Sequence, residues 1–284
     1  MRSETGRNAV VVGAGSGMGS AVAARLHEEG YRLLLADLSV ARLEGLATQL
    51  GADVVGVDIA RDAEVEVLAD RCLDGVDALV ITAGVSMTMA SFDQILAINL
   101  VGSARLLRRF APLMREGGAA VCFASIAGHL AGSIDERVLS ILDDPSPDMG
   151  ERLRAVLPPD MQSAGVAYGL SKLGVLRLAR RTGVAWGKNG VRVCSISPGV
   201  IDTPMGSIER KASPEADQAV GAAPIPRLGR AGEVANVAAF LVSPRASYIT
   251  ACDILVDGGW VGAIETAPGD SPFAQAIAAG REKN

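Results

Sequence analysis

The sequence predicts a doubly wound α/β fold, a parallel sheet of about seven strands covered by helices on both faces. Three observations carry this expectation. Short, near-continuous runs of β-branched and aliphatic residues recur along the chain, as strands buried on both faces require. Amphipathic stretches of helical length separate them, long enough for parallel crossover connections. Glycine is abundant, at 33 of 284 residues, while aromatic residues make up only 4%, a profile that suits tight strand-to-helix turns better than a β-sandwich.

The elements follow in order. Residues 9–12 read as the first strand and lead through a glycine-rich turn into a helix near 18–29. The run 32–36 is the second strand, followed by a helix near 40–50, and 53–57 the third, followed by a helix near 62–72. Residues 78–81 form the fourth strand, ahead of a long helical stretch at 91–115. The fifth strand at 120–124, a helix at 165–186, the sixth strand at 192–196, a helix at 231–242 and a last strand at 254–256 complete the pattern. The crossovers should be right-handed.

Two stretches interrupt this rhythm. Within 129–164, Ile134, Val138, Ile141 and Leu142 share one helical face, and Met149, Leu153, Val156 and Leu157 share another, on either side of Pro145-Ser146-Pro147. These read as two short amphipathic helices. Residues 200–226 hold Pro204, Pro214, Pro224 and Pro226 among small residues and read as a mobile substrate loop. No linker or internal repeat divides the chain, so residues 1–284 are expected to be one domain carrying an insert at 129–164.

Bulk properties exclude several classes. With 49% hydrophobic and 21% charged residues the chain can bury a large core. A net charge of -5 argues against nucleic acid or an anionic membrane as partner. The apolar run at 9–15 is too short for a signal peptide, and nothing approaches the roughly 18 apolar residues of a membrane span. Cys72, Cys122, Cys194 and Cys252 have no CxxC spacing; Cys122 and Cys194 sit in apolar strands, where a small buried thiol is the plain reading. A cytoplasmic location fits. His27 and His129 show no metal-ligand spacing, and no metal is expected.

The first strand runs into Gly13-Ala14-Gly15-Ser16-Gly17-Met18-Gly19. Such a turn lets a pyrophosphate approach the backbone and aims free helix N–H groups at it. Alone it is a weak signal. Asp37, about 20 residues on at the end of the second strand, supplies the context, because a carboxylate there meets an adenosine ribose. Its competing role is as a helix cap, which Ser39 could serve instead. A carboxylate accepts from a free 2′-hydroxyl and repels a 2′-phosphate. Ser16 and Leu38 occupy the positions where a cation for that phosphate would stand, and Arg42 reads as a solvated charge. NAD is therefore expected over NADP.

Tyr168 and Lys172 lie four apart on one face of a helix. A free phenol is a poor base at neutral pH, and a nearby ammonium stabilises the phenolate and makes proton exchange with an alcohol feasible. By itself this spacing is common on protein surfaces.

The set is broader than that pair. Together with GAGSGMG, Asp37 and Asp58, the segments Thr82-Ala83-Gly84, Asn99, Ser125-Ile126-Ala127-Gly128, Tyr168-Gly-Leu-Ser-Lys172, Ser197-Pro198-Gly199 and Val256-Asp257-Gly258-Gly259 resemble, in order over roughly residues 8–262, the classical short-chain dehydrogenase/reductase family. The resemblance implies a Rossmann-like sheet, a homotetramer or homodimer, and a small-molecule substrate. It implies Tyr168 as acid/base, Lys172 as its partner and a ribose contact, Ser125 as hydrogen-bond donor to the reacting oxygen, and Asn99 as the residue that kinks the central helix and holds a relay water. The dinucleotide contacts it implies are Gly13, Ser16, Gly17, Met18 and Gly19 at the pyrophosphate turn, and Asp37 and Leu38 at the ribose. Asp58 and Ile59 would meet the adenine, and Ala83 and Gly84 would follow the fourth strand. Pro198, Gly199, Ile201 and Thr203 would lie by the nicotinamide.

Three departures stand out. Val12 replaces a threonine that ties the turn to the fourth strand, Thr82 replaces the asparagine on the other side, and 43 residues separate Ser125 from Tyr168 (168 − 125), against about a dozen in the common pattern. Inserts of this kind occur in some carbonyl reductases and bacterial hydroxysteroid dehydrogenases of the family. Its apolar faces must be covered, either over the substrate cleft or by another subunit. The expected activity is hydride transfer between NAD(H) and a secondary alcohol or ketone. Met87, Met89, Met161, Met205 and Ile225 favour an apolar or alicyclic substrate. The alternatives are a 3-oxoacyl-thioester reductase, which the segment PIPRLGRAGEVANVAAFLVS resembles, and a dinucleotide-sensing protein without turnover, against which the presence of Tyr168 and Lys172 counts.

Overall fold

The computed structural model describes residues 6–212, 220, 221 and 223–266. Its strands are β1 (Asn8–Val12), β2 (Arg32–Asp37), β3 (Asp53–Gly56), β4 (Val76–Ile81), β5 (Met114–Phe123), β6 (Arg192–Pro198), β7 (Ile201–Asp202), β8 (Gly229–Arg230) and β9 (Asp253–Val256). Seven of them form one parallel sheet in the order β3-β2-β1-β4-β5-β6-β9, and β7 pairs with β8 separately. Strand order reverses between β1 and β4, so a crevice opens beyond their carboxyl ends, the usual ligand site of such sheets.

Period-two alternation assigns each strand to two cores. Val10 and Val12 face one cluster, Ala9 and Val11 the other. The second cluster is covered by α1 (Gly17–Glu28), α2 (Glu44–Leu50) and, late in the chain, the helix Ala231–Val242. The first is covered by α3 (Asp62–Asp70), α4 (Phe92–Ile95) and α5 (Ser103–Phe110), then by α7 (Glu136–Asp143), α8 (Met149–Val156) and the long α9 (Ala164–Gly187), while the short α6 (Ile126–His129) rests on α9. After α9 come α10 (Pro204–Ala212), α11 (Ala231–Val242) and α12 (Trp260–Thr266). Among the described residues no helix is long and apolar enough to cross a membrane.

The stretch 91–115 departs from the single helix expected. Seven residues, Leu96–Gly102, between α4 and α5 are wound as a π-helix, and the apolar pattern LAINLVG continues through it without a break in hydrophobicity. β5 begins at Met114, earlier than the expected residue 120. Its first residue Met114 pairs with Val76, and residues 115–118 fall in a register shift before Ala119 meets Ala78, a pairing that only the tertiary structure supplies. In 200–226 the structure shows β7 and the helix α10, which opens on Pro204, a residue suited to a first helical turn. The mobile loop expected there is thus in part regular structure, and residues 213–219 and 222 of it lie outside the described residues.

The apolar faces of the insert turn onto the chain's own core. Val138, Ile141, Leu142, Met149 and Leu153 are buried in the same core as α9 and the π-helical turn. Charged latches hold it there. Arg177 of α9 donates to both oxygens of Asp143 (2.7 and 2.6 Å), and Arg154 of α8 grips the Asp93 carboxylate while its guanidinium lies 4.7 Å from the Phe92 ring centroid. The apolar faces of α7 and α8 are therefore covered by the chain's own helices.

Candidate active site

β1 ends against the glycine turn. Gly13 has φ +90, and the N–H groups of Gly13 and Ala14 both donate to the Ala36 carbonyl (2.7 and 3.1 Å). A Cβ on Gly19 would lie 2.0 Å from the Gly13 carbonyl oxygen, so the first turn of α1 closes on the loop only because that side chain is absent. Ser16, exposed and extended, precedes α1 without a side-chain cap, and no acidic residue sits in the first turn. The leading N–H groups of a twelve-residue helix thus face the crevice with no side-chain acceptor, a donor set that fits an anionic pyrophosphate.

The tie between β1 and β4 is made from the other side. Val12 has no hydroxyl, but Thr82 Oγ1 lies 2.9 Å from the Val12 carbonyl and 3.1 Å from that of Gly13, while the Thr82 and Ala83 N–H groups also donate to Val12 O. The two departures noted in the sequence compensate each other.

At the corner where the ribose is expected, Asp37 Oδ2 accepts from Gly15 N (2.9 Å) and Oδ1 from Ser39 N (3.1 Å). The carboxylate serves both the turn and the local cap, and Ser39 makes no side-chain cap of its own. Leu38 is 75% exposed and presents an apolar side chain beside it. The Arg42 stem also reaches this corner, its Cβ 3.0 Å from the place a Gly15 Cβ would occupy. Asp58 accepts from Ala60 N (2.9 Å) and remains partly exposed. Ile59 does not face the crevice with its side chain, which is buried against Gly102; only its backbone can serve a ligand. The same holds for Ile201, whose buried side chain packs on Gly229. Thr203 does border the glycine turn, 3.4 Å from the place of a Gly17 Cβ, and accepts from Gly206 N (3.0 Å).

The four residues expected to carry the chemistry converge where β4, β5, α6 and α9 meet. Ser125 follows β5 and caps α6, its Oγ accepting from Ala127 N (3.2 Å). Gly128 then lies flat on α9, where a Cβ would sit 2.8 Å from the Lys172 carbonyl carbon. Lys172 is buried and its ammonium donates to the Phe123 carbonyl (3.0 Å), at the end of the strand that carries Ser125. The same Nζ stands 5.7 Å from the Tyr168 ring centroid. Asn99, in the π-helical turn and 1% exposed, donates to Ser171 Oγ (3.2 Å), and Ser171 in turn donates to the Tyr168 carbonyl (2.8 Å). A Cβ on Gly84 would lie 3.1 Å from Asn99 Oδ1 and 3.7 Å from Lys172 Nζ, which places the end of β4 against both. Pro198 is buried and Gly199 packs on Asp257 at the adjoining strand ends.

Several participants were not singled out in the sequence. Ser171 lies between Tyr168 and Lys172 and is fully buried; its place one residue before the lysine was the available signal. Asp253 is a carboxylate in the otherwise apolar run Cys-Asp-Ile-Leu-Val, and it meets His129 at 2.9 Å. Nothing in the spacing announces that partner, 124 residues away. Groups of acidic, His and Cys residues suited to a metal are absent among the described residues.

Comparison with known proteins agrees with this geometry. The sequence model of a family described as short chain dehydrogenase matches residues 7–134, and one described as enoyl-(acyl carrier protein) reductase matches residues 160–261. The stretch between them holds α7 and α8. A short-chain dehydrogenase/reductase of Alternaria brassicicola is 36% identical over 88% of this chain and 94% of its own length. The 3-alpha-hydroxysteroid dehydrogenase/carbonyl reductase of Comamonas testosteroni is 31% identical over 78% of this chain and 96% of its own. The crystal structure of levodione reductase superposes with a TM-score of 0.73 at 29% identity, covering 90% of this chain and 98% of that one.

Proposed function

Because the chain belongs to the short-chain dehydrogenase/reductase family, we propose that it transfers a hydride between NAD(H) and a secondary alcohol or ketone with an apolar or alicyclic frame. The observation that carries this reading is the convergence of Asn99, Ser125, Tyr168 and Lys172 at the carboxyl edge of the sheet, beside a helix N-terminus free of side-chain caps.

When bound, the nicotinamide supplies or accepts the hydride. The chain's own residues do the rest. The α1 N–H groups and Gly13–Gly19 hold the pyrophosphate, and Asp37 accepts from the ribose. Ser125 Oγ hydrogen-bonds the reacting oxygen. Tyr168 Oη exchanges the proton with that oxygen, with the Lys172 charge beside its ring. Lys172 is held by Phe123 and so presents its ammonium from a fixed place. Asn99 closes the relay at the buried end.

Asp37 supports NAD over NADP, since its carboxylate stands where a 2′-phosphate would bring like charge; Arg42 is exposed at the same corner and supplies only partial relief. The substrate side is apolar. Met87, Met89 and Met161 are 45%, 50% and 40% exposed on segments flanking α9, and Met87 Sδ lies 3.6 Å from the place of a Gly165 Cβ, one turn from Tyr168. Relatives named for a steroid and for levodione act on cyclic frames of this kind. A cytoplasmic dimer or tetramer belongs to the same proposal.

The test is a panel of cyclic diketones, decalones, steroid ketones and 3-oxoacyl thioesters, each offered with NADH and NADPH. NADH-dependent reduction of the carbocyclic ketones is the expected result. Turnover confined to acyl thioesters would favour the thioester reductase that the match over residues 160–261 also allows.

A further inference from the structure

Beneath the reactive residues lies a buried polar knot that the proposed reaction does not use. Asp253, on the edge strand β9, is opposite Ser195 of β6 in the sheet register. Its side chain is 4% exposed. Ser195 Oγ donates to Oδ1 (2.6 Å), and His129 Nε2 lies 2.9 Å from Oδ2 and 3.2 Å from Ser197 Oγ. Ser195 and Ser197 are fully buried. A carboxylate taken from water in this way is tolerated only with its oxygens hydrogen-bonded, and His129 is the partner that reaches it from the helix layer.

Placement gives this knot its consequence. α6 is a single turn, four residues from Ile126 to His129, with Ser125 as its N-cap. A helix so short has no stability of its own and takes its orientation from what it is tied to. Two ties are present. Gly128 rests on the α9 backbone at Lys172, and His129 reaches across to Asp253 and Ser197. Ser197 stands immediately before Pro198-Gly199, the turn assigned to the nicotinamide side. The knot therefore joins the helix that begins at Ser125 to the strand that ends in that turn.

We propose that His129 and Asp253 are positioning residues for hydride transfer, fixing Ser125 relative to the Pro198-Gly199 turn by a buried imidazole–carboxylate pair. This rests on the catalytic reading of Ser125 given above. The pair touches neither substrate nor dinucleotide; it acts through the α6 turn and the end of β6. Removing it loosens one wall of the site against the other, and a misplacement of 1 Å is worth ~10²-fold in rate.

The experiment compares parent, H129A, H129Q and the double variant H129L/D253V, using the best ketone from the panel, with NADH affinity read by fluorescence and stability by thermal melting. In H129A, kcat should fall roughly ten- to a hundredfold while the NADH Kd changes by less than about threefold. H129Q, whose amide can still donate to Asp253, should recover most of the loss. In the double variant the carboxylate is gone along with its partner, but the buried Ser195 hydroxyl loses its acceptor, so the melting temperature should recover only part of the H129A loss while kcat stays low. Recovery of kcat together with stability in the double variant would show a purely structural pair and overturn the proposal, as would an H129A enzyme within about twofold of parent kcat. S125A is run alongside: if it keeps its kcat, the catalytic reading itself fails and the positioning role falls with it.

Discussion

Asn99 grips Val85 with both ends of its carboxamide: Oδ1 accepts from Val85 N at 2.8 Å and Nδ2 donates to Val85 O at 3.0 Å. The residue that bears on the Tyr168 helix through Ser171 is thus also the one that fixes the segment leaving β4. An amide is the side chain that can satisfy a donor and an acceptor of one backbone residue at once.

Asn99→Leu should therefore be destabilising as well as slow. The backbone groups of Val85 lose their partners within a nearly buried site, which costs about 1–3 kcal/mol. Thermal melting would show the loss, and kcat should fall with it. Asn99→Asp should be no better, because a carboxylate cannot donate to Val85 O and would be buried charged. A variant with parent stability would mean that solvent replaces the amide at no cost.

Tyr168→Phe removes the hydroxyl and leaves the ring beside Lys172. We expect kcat to drop by ~10²–10⁴-fold, the usual contribution of a positioned proton-transfer group, with NADH affinity held within a few-fold. Steady-state kinetics and fluorescence titration of the same preparation separate the two. Retention of most of the parent kcat would remove Tyr168 from its assigned role.

What the sequence revealed of this molecule follows from how local each feature is. β1, β2 and the start of α9 could be located because hydrophobic runs and glycine turns are decided within a few residues. Cys122 and Cys194 were legible as buried thiols for the same reason, and burial pushes both up to about 12. The resemblance placed a kink at Asn99, and the π-helical turn Leu96–Gly102 surrounds that residue; its extent and winding were not legible, since the apolar pattern is that of an ordinary helix, and a Cβ on Gly174 of α9 would come 2.2 Å from Leu100. Nor was the first half of β5, where a polar segment lies in a register shift between the Val76–Met114 and Ala78–Ala119 pairs. In the site, residues tied to sequence motifs could be named, but the contacts that hold them could not. Phe123 O for Lys172 and Asp253 for His129 come from 49 and 124 residues away.

Cofactor choice is open to direct measurement. The Asp37 carboxylate ends β2 beside the glycine turn, where the proposed reading puts the ribose, and accepts from Gly15 N. Like charges about 4 Å apart repel by about 4 kcal/mol at an effective dielectric of 20, and salt and the exposed Arg42 reduce this. We expect NADH to bind at least ~10-fold more tightly than NADPH, a difference of about 1.4 kcal/mol, and Asp37→Ala to narrow the gap. The gap should also shrink in high salt, as screening requires. Tighter NADPH binding by the parent protein would reverse the assignment.

The insert should respond to acid through Asp143. Hydrogen bonds from Arg177 hold this carboxyl below its ordinary value. A depressed carboxyl contributes stability that is present above its unfolded pKa, near 3.9, and is lost as pH falls through the folded value. Asp143→Asn should lower stability by about 1 kcal/mol near neutrality, the upper range for a partly exposed ion pair. The difference between parent and variant should be constant above about pH 5 and close below about pH 4. Melting curves across that range check it. A gap that stays open at low pH would assign the effect to packing of α7 in place of charge.

Val12 and Thr82 meet at one joint, and the side chain that closes it belongs to Thr82 alone. The hydroxyl that binds the first strand to the fourth is carried here by Thr82. Thr82→Val would leave this crossing to backbone hydrogen bonds alone. One hydroxyl is thus the keystone of the joint, and the freedom of the first strand to end on an apolar side chain is lent to it from across the sheet.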